Sequence, residues 1–131
     1  MGNVKLLLDT HTFIWAMRDP QRLGLRAASA IVDAENVVLV SAVVGWEVST
    51  KHRIGKLPNG QAILGSFGDA IDDLRADELP ISVAHGLAAG GFGSAHRDPF
   101  DRLLAAQAMV EGAALVTLDP AFADFPVTTL W

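Results

Sequence analysis

Short apolar runs alternate along the chain with segments of helical periodicity. The runs at residues 4–8, 37–40 and 114–118 contain no polar alternation, which is typical of strands covered on both faces. Shorter extended segments are predicted at residues 79–83 and 127–130. Apolar spacing of three and four predicts helices between the strands, at residues 10–17, 25–35, 42–54, 61–76, 83–87 and 99–111.

This alternation predicts the fold class. Strands that alternate with helices indicate an α/β protein, in which a short, mainly parallel sheet lies between helical layers. We find no internal repeat and no internal boundary, so residues 1–131 are expected to form a single three-layer domain. The glycine-rich residues 88–94 are predicted to form a mobile loop in front of the last long helix.

Composition and charge narrow the possible chemistry. The sequence contains no cysteine, which excludes disulfides, thiolate metal ligands and a thiol nucleophile. It also shows no signal peptide and no apolar run long enough to span a membrane, so we expect a cytoplasmic protein without membrane contact. The net charge of -5 argues against unspecific binding of nucleic acid through an overall basic surface. Two local basic clusters remain, which are Lys51, His52, Arg53 and Lys56, and His96, Arg97 and Arg102.

Acidic residues follow two of the predicted strands. Asp9 and Asp119 each end an apolar run, and Glu47 interrupts the apolar stretch that follows a third strand. The carboxyl ends of parallel strands share one edge of a sheet, where ligands bind. Two carboxylates about 4 Å apart at this edge repel each other by about 4 kcal/mol at an effective dielectric of about 20. Protons or a cation must relieve that repulsion, although each acid taken alone is also explained by a turn or an exposed helix face.

Residues 98–101, Asp-Pro-Phe-Asp, begin the last long helix. Asp98 is a strong N-cap candidate, and Pro99 suits the first helical position. Asp101 either favours the positive end of the helix dipole or projects its carboxylate toward the strand ends. Oxygen donors without sulfur point to Mg²⁺ or Mn²⁺ in preference to zinc. No histidine has the paired spacing of a metal ligand, so none is assigned to a metal.

With these residues in view, the chain resembles a PIN-domain ribonuclease of the VapC toxin type. The resemblance runs nearly from end to end, through Leu-Leu-Asp-Thr-His at residues 7–11, Ser-Ala at 41–42 and Trp-Glu at 46–47. It continues through His-Arg-Asp-Pro-Phe-Asp-Arg at 96–102, Gln-Ala at 107–108 and Thr-Leu-Asp at 117–119. Matched position by position, the family's acidic quartet falls on Asp9, Glu47, Asp101 and Asp119.

The resemblance implies hydrolysis of an RNA phosphodiester with one or two divalent cations bound by this quartet. It also implies a small antitoxin that inserts a basic side chain into the acidic pocket, and self-association as a homodimer or a hetero-oligomer with the antitoxin. Residues 25–32 and 61–74 are the surfaces expected to contribute. Arg97, Arg102 and Lys51 are candidates for contacts with substrate phosphates, and Thr117 for orienting a carboxylate or a water.

Two other functions remain open from the sequence. An aspartyl phosphohydrolase would use Asp9 as its nucleophile, but the second Asp that such enzymes usually carry two positions later is replaced by His11, and no lysine lies near Asp119. A non-catalytic, metal-dependent binding module would keep the acidic cluster for structure or for partner recognition.

Overall fold

The protein is built on one parallel sheet. The structure is a computed structural model that describes residues 3–131; the predicted domain also includes residues 1 and 2, which lie outside the described residues. The strands are β1 (Lys5–Leu8), β2 (Val37–Ser41), β3 (Asp77–Leu79), β4 (Ala114–Val116) and β5 (Thr129–Leu130). Their order is β3-β2-β1-β4-β5, and every pairing is parallel. The predicted α/β class with a short, mainly parallel sheet is therefore confirmed.

The helices occupy the connections between these strands. They are α1 (Thr10–Arg18), α2 (Leu25–Val32), α3 (Ala42–Arg53), α4 (Gly60–Gly65), α5 (Phe67–Asp73), α6 (Val83–Gly91) and α7 (Pro99–Glu111). Two short 3₁₀ helices lie at Pro20–Arg22, after α1, and at Pro120–Asp124, after β4. None of the helices within residues 3–131 is long and apolar enough to cross a membrane.

The strand order separates the helices into two layers. The chain moves from β1 to β2 and β3 in one direction, then crosses back through α6 and α7 to β4 and β5 on the other side of β1. Because parallel crossovers are right-handed, a reversal of direction moves the connecting helices to the opposite face of the sheet. The carboxyl ends of β1 and β4 therefore lie at the point where ligands of such sheets bind.

The core fills both faces of the central strands. Leu6, Leu7 and Leu8 of β1 are almost fully buried, as are Leu115 and Val116 of β4. This explains the runs without polar alternation, since a strand covered on both sides has no solvent face.

The predicted helix at residues 61–76 is wrong in one respect, because it is two helices. The chain bends at Ser66, whose N–H lies within hydrogen-bond reach of the carbonyls of Ala62 and Ile63. Gly65 and Gly68 flank the bend and have low helix propensity. Ile63 and Ala70 both reach the core, as their spacing of seven residues also predicts for a straight helix.

The mobile loop predicted at residues 88–94 is also largely wrong. Helix α6 continues through Gly91, and only the residues from Phe92 onward leave the helix. Its start is fixed by a reciprocal pair of hydrogen bonds between Ser82 and His85. Packing against α7 buries Ala89, so tertiary contacts outweigh the weak helix propensity of the glycines.

Candidate active site

Asp9 lies at the junction of β1 and α1, and both of its carboxylate oxygens are engaged. One oxygen caps α1 by accepting the N–H of Thr12 at 2.8 Å. The other accepts the hydroxyl of Thr117 at 2.5 Å. Asp9 is almost completely buried, so these two donors orient a carboxylate that solvent barely reaches.

Thr117 also connects Asp9 to Asp119. Its hydroxyl oxygen accepts the N–H of Asp119 at 3.0 Å while donating to Asp9. Asp119 caps the second 3₁₀ helix by accepting the N–H of Ala121, and it lines one cavity together with Asp9. The Thr117 side chain, expected to orient a carboxylate or a water, thus binds the carboxylate that follows β1.

Glu47 reaches the same edge of the sheet from α3. It is 5% exposed, and its Oε1 accepts the hydroxyl of Thr10 at 2.5 Å. Its Oε2 pairs with the ammonium group of Lys51 one helical turn later. Thr10 directly follows Asp9 in the sequence. The residue whose hydroxyl binds Glu47 is therefore joined to Asp9 by one peptide bond.

Asp101 lies in the first turn of α7, and Asp98 begins that helix. The carboxylate of Asp98 accepts the N–H groups of Phe100 and Asp101, which confirms its predicted role as N-cap. The side chain of Asp101 is not used as a cap and instead lies 2.8 Å from Nε2 of His96. Asp98 therefore caps the helix, and the side chain of Asp101 is not needed for capping.

The Asp101 carboxyl is in an unfavourable place for a negative charge. The pKa of this carboxyl is raised from 3.8 to about 6, chiefly by burial and against the lowering effect of the hydrogen bond with His96. The negative charges of Asp98 and Glu47 are smaller causes of the same rise. Asp101 and Glu47 are therefore close enough to repel each other, although they extend from different helices.

The four acids do not form a complete metal-binding site in their present positions. Within residues 3–131, no three acidic or histidine side chains lie close enough together to hold a metal ion as they stand. The expectation that only protons or a cation could relieve their repulsion is thus incomplete. Lys51 and His96 supply local partners for Glu47 and Asp101, so the acids form two pairs, Asp9 with Asp119 and Glu47 with Asp101.

The donor set nevertheless fits a hard divalent cation. All four side chains offer carboxylate oxygens, and the described site contains no sulfur donor. The raised pKa of Asp101 marks negative charge that a cation would neutralise. Reorientation of the Glu47 and Asp101 side chains away from Lys51 and His96 is the change that binding would require.

The two predicted arginines occupy different environments. Arg97 is exposed at the start of α7. Arg102 is half-buried, and its guanidinium donates at 2.8–3.0 Å to four backbone carbonyls, those of Ala89, Phe92, Ser94 and His96. This arrangement differs from the phosphate contact predicted for Arg102, because its donors already hold the segment that carries His96.

A buried network of hydrogen bonds connects α7 to the start of α3, the helix that carries Glu47. The fully buried Gln107 of α7 accepts the hydroxyl of Ser41 at 2.5 Å, and Ser41 caps α3, the helix that carries Glu47. The Gln107 amide also donates to the carbonyl of Pro80 at 3.3 Å. Within the part of the chain that the structure describes, no buried side-chain nitrogen or oxygen lacks a hydrogen-bond partner.

Two supporting residues were not assigned from the sequence. Thr10 contacts Glu47, and His96 contacts Asp101. Neither residue has a spacing that points to a metal or to a catalytic role. The available signal was position, since Thr10 follows an acid at a strand end and His96 lies five residues before Asp101. The contact of each residue with its acid joins separate segments of the chain, so it cannot be predicted without the fold.

Comparisons with known proteins agree with this architecture. The PIN domain family model matches residues 6–127. Ribonuclease VapC22 of Mycobacterium tuberculosis is 31% identical over 114 residues, which cover 87% of this chain and 86% of the relative.

Solved structures share the fold at lower identity. VapBC2 of Rickettsia felis, bound to a DNA fragment from its promoter, contains a chain with a TM-score of 0.72 and 18% identity, with 98% of each chain covered. FitAcB of Neisseria gonorrhoeae gives a TM-score of 0.65 at 18% identity, with 96% of each chain covered. At these identities the likeness shows the fold alone.

The family model spans nearly the whole chain, and the mycobacterial relative is alike over most of both sequences. The protein therefore belongs to the PIN-domain family and is a relative of the VapC ribonucleases.

Proposed function

We propose that this protein is an endoribonuclease that hydrolyses RNA phosphodiesters with a divalent cation, Mg²⁺ or Mn²⁺, held by Asp9, Glu47, Asp101 and Asp119. The observation that carries this proposal is the arrival of four carboxylates at one edge of a parallel sheet. Within this group, burial and then the negative charges of Asp98 and Glu47 raise the pKa of Asp101. Descent from the same family as the ribonuclease VapC22 supports the choice of RNA as substrate.

The side chains have separable tasks in this reaction. A bound divalent cation supplies neutralisation of the phosphate charge and makes a water more acidic. Thr117 and Thr10 hold the carboxylates of Asp9 and Glu47 in fixed orientations by hydrogen bonds. Arg97 extends a positive charge into solvent beside this edge, where it attracts the RNA backbone. Lys51 is available for the same purpose once Glu47 turns to the cation.

We further infer that the protein acts as the toxin of a toxin–antitoxin pair. VapBC2 and FitAcB are solved complexes of proteins with this fold. A small protein partner with a basic side chain would neutralise the acidic edge in the same way as Lys51 now neutralises Glu47. Leu25 and Val32 of α2, which are 91% and 81% exposed, offer an apolar surface for such a partner. The apolar residues of α4 and α5 offer less, since Ile63 and Ala70 are buried.

The experiment combines cleavage with metal binding. The purified chain is incubated with structured RNA and Mg²⁺ or Mn²⁺, with and without EDTA, beside Asp9→Asn, Asp119→Asn and the control Asp72→Asn, which lies on the exposed face of α5. Wild type and the control should cleave and should gain thermal stability from metal. The two site variants should lose both properties. Equal cleavage by all four proteins would show that a contaminant is responsible and would overturn the proposal.

A further inference from the structure

A surface cavity opens directly beside Asp9 and Asp119. Its volume is about 320 Å³, which is within the range of small-ligand sites. The two carboxylates form one side of it. The remaining lining residues carry apolar or aromatic side chains, and they are His11, Trp15, Leu118 and Pro120.

The aromatic wall of this cavity is held in place by its neighbours. His11 and Trp15 are one turn apart on α1, with ring centroids 5.7 Å apart. The edge of Trp131 packs on Trp15, again at 5.7 Å, and the guanidinium of Arg22 lies 4.8 Å from the centre of the Trp15 ring. A ring fixed in this way loses little freedom when it contacts a ligand, so the wall is preorganised for binding.

A further part of the cavity lining is apolar and open to solvent. Leu118 is 57% exposed, although it directly precedes an acid of the site and follows the buried Thr117. Its exposed side chain is available for apolar contact with a ligand in the cavity. A flat ligand that stacks on the rings of α1 and contacts Leu118 would cover it.

We propose that this cavity binds one unpaired nucleobase of the RNA, next to the phosphate that is cleaved; this inference rests on the proposed ribonuclease function. Unpaired bases stack on aromatic side chains irrespective of sequence, because every base has a π-face. The carboxylates beside the cavity fix where the backbone must run, since the scissile phosphate has to reach the edge occupied by Asp9 and Asp119, where a bound cation would offset their repulsion of the phosphate.

The first test measures stacking without cleavage. A short single-stranded RNA carries the fluorescent base 2-aminopurine at one position at a time, and it is mixed with the full chain in Ca²⁺. Stacking in the cavity should quench the fluorescence when the RNA binds. Leu118→Gln removes the apolar contact without adding a ring or a charge, and it should weaken this quenching. Leu87→Gln, at a 74% exposed position of α6, is the matched control and should leave it intact.

A second variant acts on the aromatic wall. Trp15→Leu should weaken RNA binding about tenfold, since a stacked base contributes on this scale. Trp15 also packs on Trp131, so the variant is compared at a temperature where circular dichroism shows that it is folded. Leu118→Gln retains that packing and tests the cavity independently. Equal quenching in Leu118→Gln and Leu87→Gln, or no quenching at any position, would overturn the assignment.

The outcomes separate this inference from the proposed function. Cleavage by wild type without quenching would refute the base site alone. Quenching that Leu118→Gln weakens, in a chain that cleaves no RNA, would support the base site and refute the ribonuclease function. If both variants weaken the binding of a protein partner and leave RNA quenching unchanged, the cavity is a protein-docking site and the nucleobase assignment is wrong.

Discussion

The guanidinium of Arg102 lies 2.8 Å from the backbone carbonyl of His96, and the imidazole of His96 lies 2.8 Å from the carboxylate of Asp101. Helix α7 thus carries a site acid and also the side chain that holds the partner of that acid. Three further carbonyls of the preceding segment are bound by the same guanidinium. The segment between α6 and α7 is therefore fixed by side-chain hydrogen bonds, although it has no regular secondary structure beyond Gly91.

Arg102→Lys should destabilise the protein and impair the site together. An ammonium group cannot reach four carbonyls in the planar arrangement of a guanidinium, so a loss of about 2–4 kcal/mol in the free energy of unfolding is expected. Arg97→Lys is the control, because Arg97 is exposed and its substitution should change stability by less than about 0.5 kcal/mol. Urea unfolding of both variants provides the comparison. Equal stability of the two would mean that the Arg102 hydrogen bonds contribute little.

The raised pKa of Asp101 predicts a pH-dependent stability of the metal-free protein. A carboxyl whose pKa is higher in the folded than in the unfolded state favours folding in its protonated form. Its contribution is complete below 3.8 and is lost as the pH rises through about 6. The side chain introduced by Asp101→Asn stays uncharged at every pH and does not lose this contribution. At pH 7.5 the variant should therefore be more stable than wild type by about 1–2 kcal/mol, after allowance for solvent screening.

The measurement is unfolding in EDTA at pH 4.5 and pH 7.5. Because the imidazole of His96 contacts Asp101, the same pair of proteins is compared in a His96→Gln background. A destabilised Asp101→Asn variant at both pH values would show that this carboxylate is needed for folding, as a helix cap such as Asp98 is, and would contradict its assignment to the site.

Thr10→Val should weaken metal binding while leaving the fold almost intact. The substitution removes the hydroxyl that orients Glu47 and keeps nearly the same volume. Loss of such a supporting hydrogen bond typically lowers metal affinity about 10–100-fold. The neighbouring Thr12→Val is the matched control, since the buried Thr12 hydroxyl binds the carbonyl of Val116 instead of an acid. Both variants should lose some stability, since each removes the hydrogen bond of a buried hydroxyl. Titration of metal by calorimetry should separate the two, with unchanged metal affinity for Thr12→Val.

Gln107→Leu should destabilise the protein by about 2–3 kcal/mol, because the buried hydroxyl of Ser41 loses its acceptor. The replacement is similar in size, so the loss reports the hydrogen bonds more than the packing. A Ser41→Ala, Gln107→Leu double variant should recover part of that stability, and the coupling energy follows from the cycle of unfolding measurements. Additive losses would indicate that the two residues act independently.

The sequence predicted the elements that local pattern determines. The runs of β1, β2 and β4 are apolar on both faces, and Asp98, Pro99 and Gly112 define the ends of α7 by local hydrogen bonds and backbone conformation. Each of these signals is contained within a few neighbouring residues, so no knowledge of the fold was needed.

Features that depend on distant contacts were not predictable in the same way. The bend at Ser66 and the extension of α6 through Gly91 follow from packing against other elements, which outweighs helix propensity. Likewise, the four carbonyls that Arg102 binds cannot be predicted from its place in the sequence. The ion pair of Lys51 with Glu47 differs, because the i, i+4 spacing of these two residues on one helix is a local signal for it.

Three of the acids near the site begin a helix: Asp9, Asp98 and Asp119 each accept a backbone N–H at a helix start. Asparagine caps helices about as well as aspartate does. A change of one oxygen to an amide group can therefore remove charge from the site while the polypeptide still folds. During evolution, a lineage could in this way become inactive toward its substrate and survive as a folded decoy that still occupies its partners.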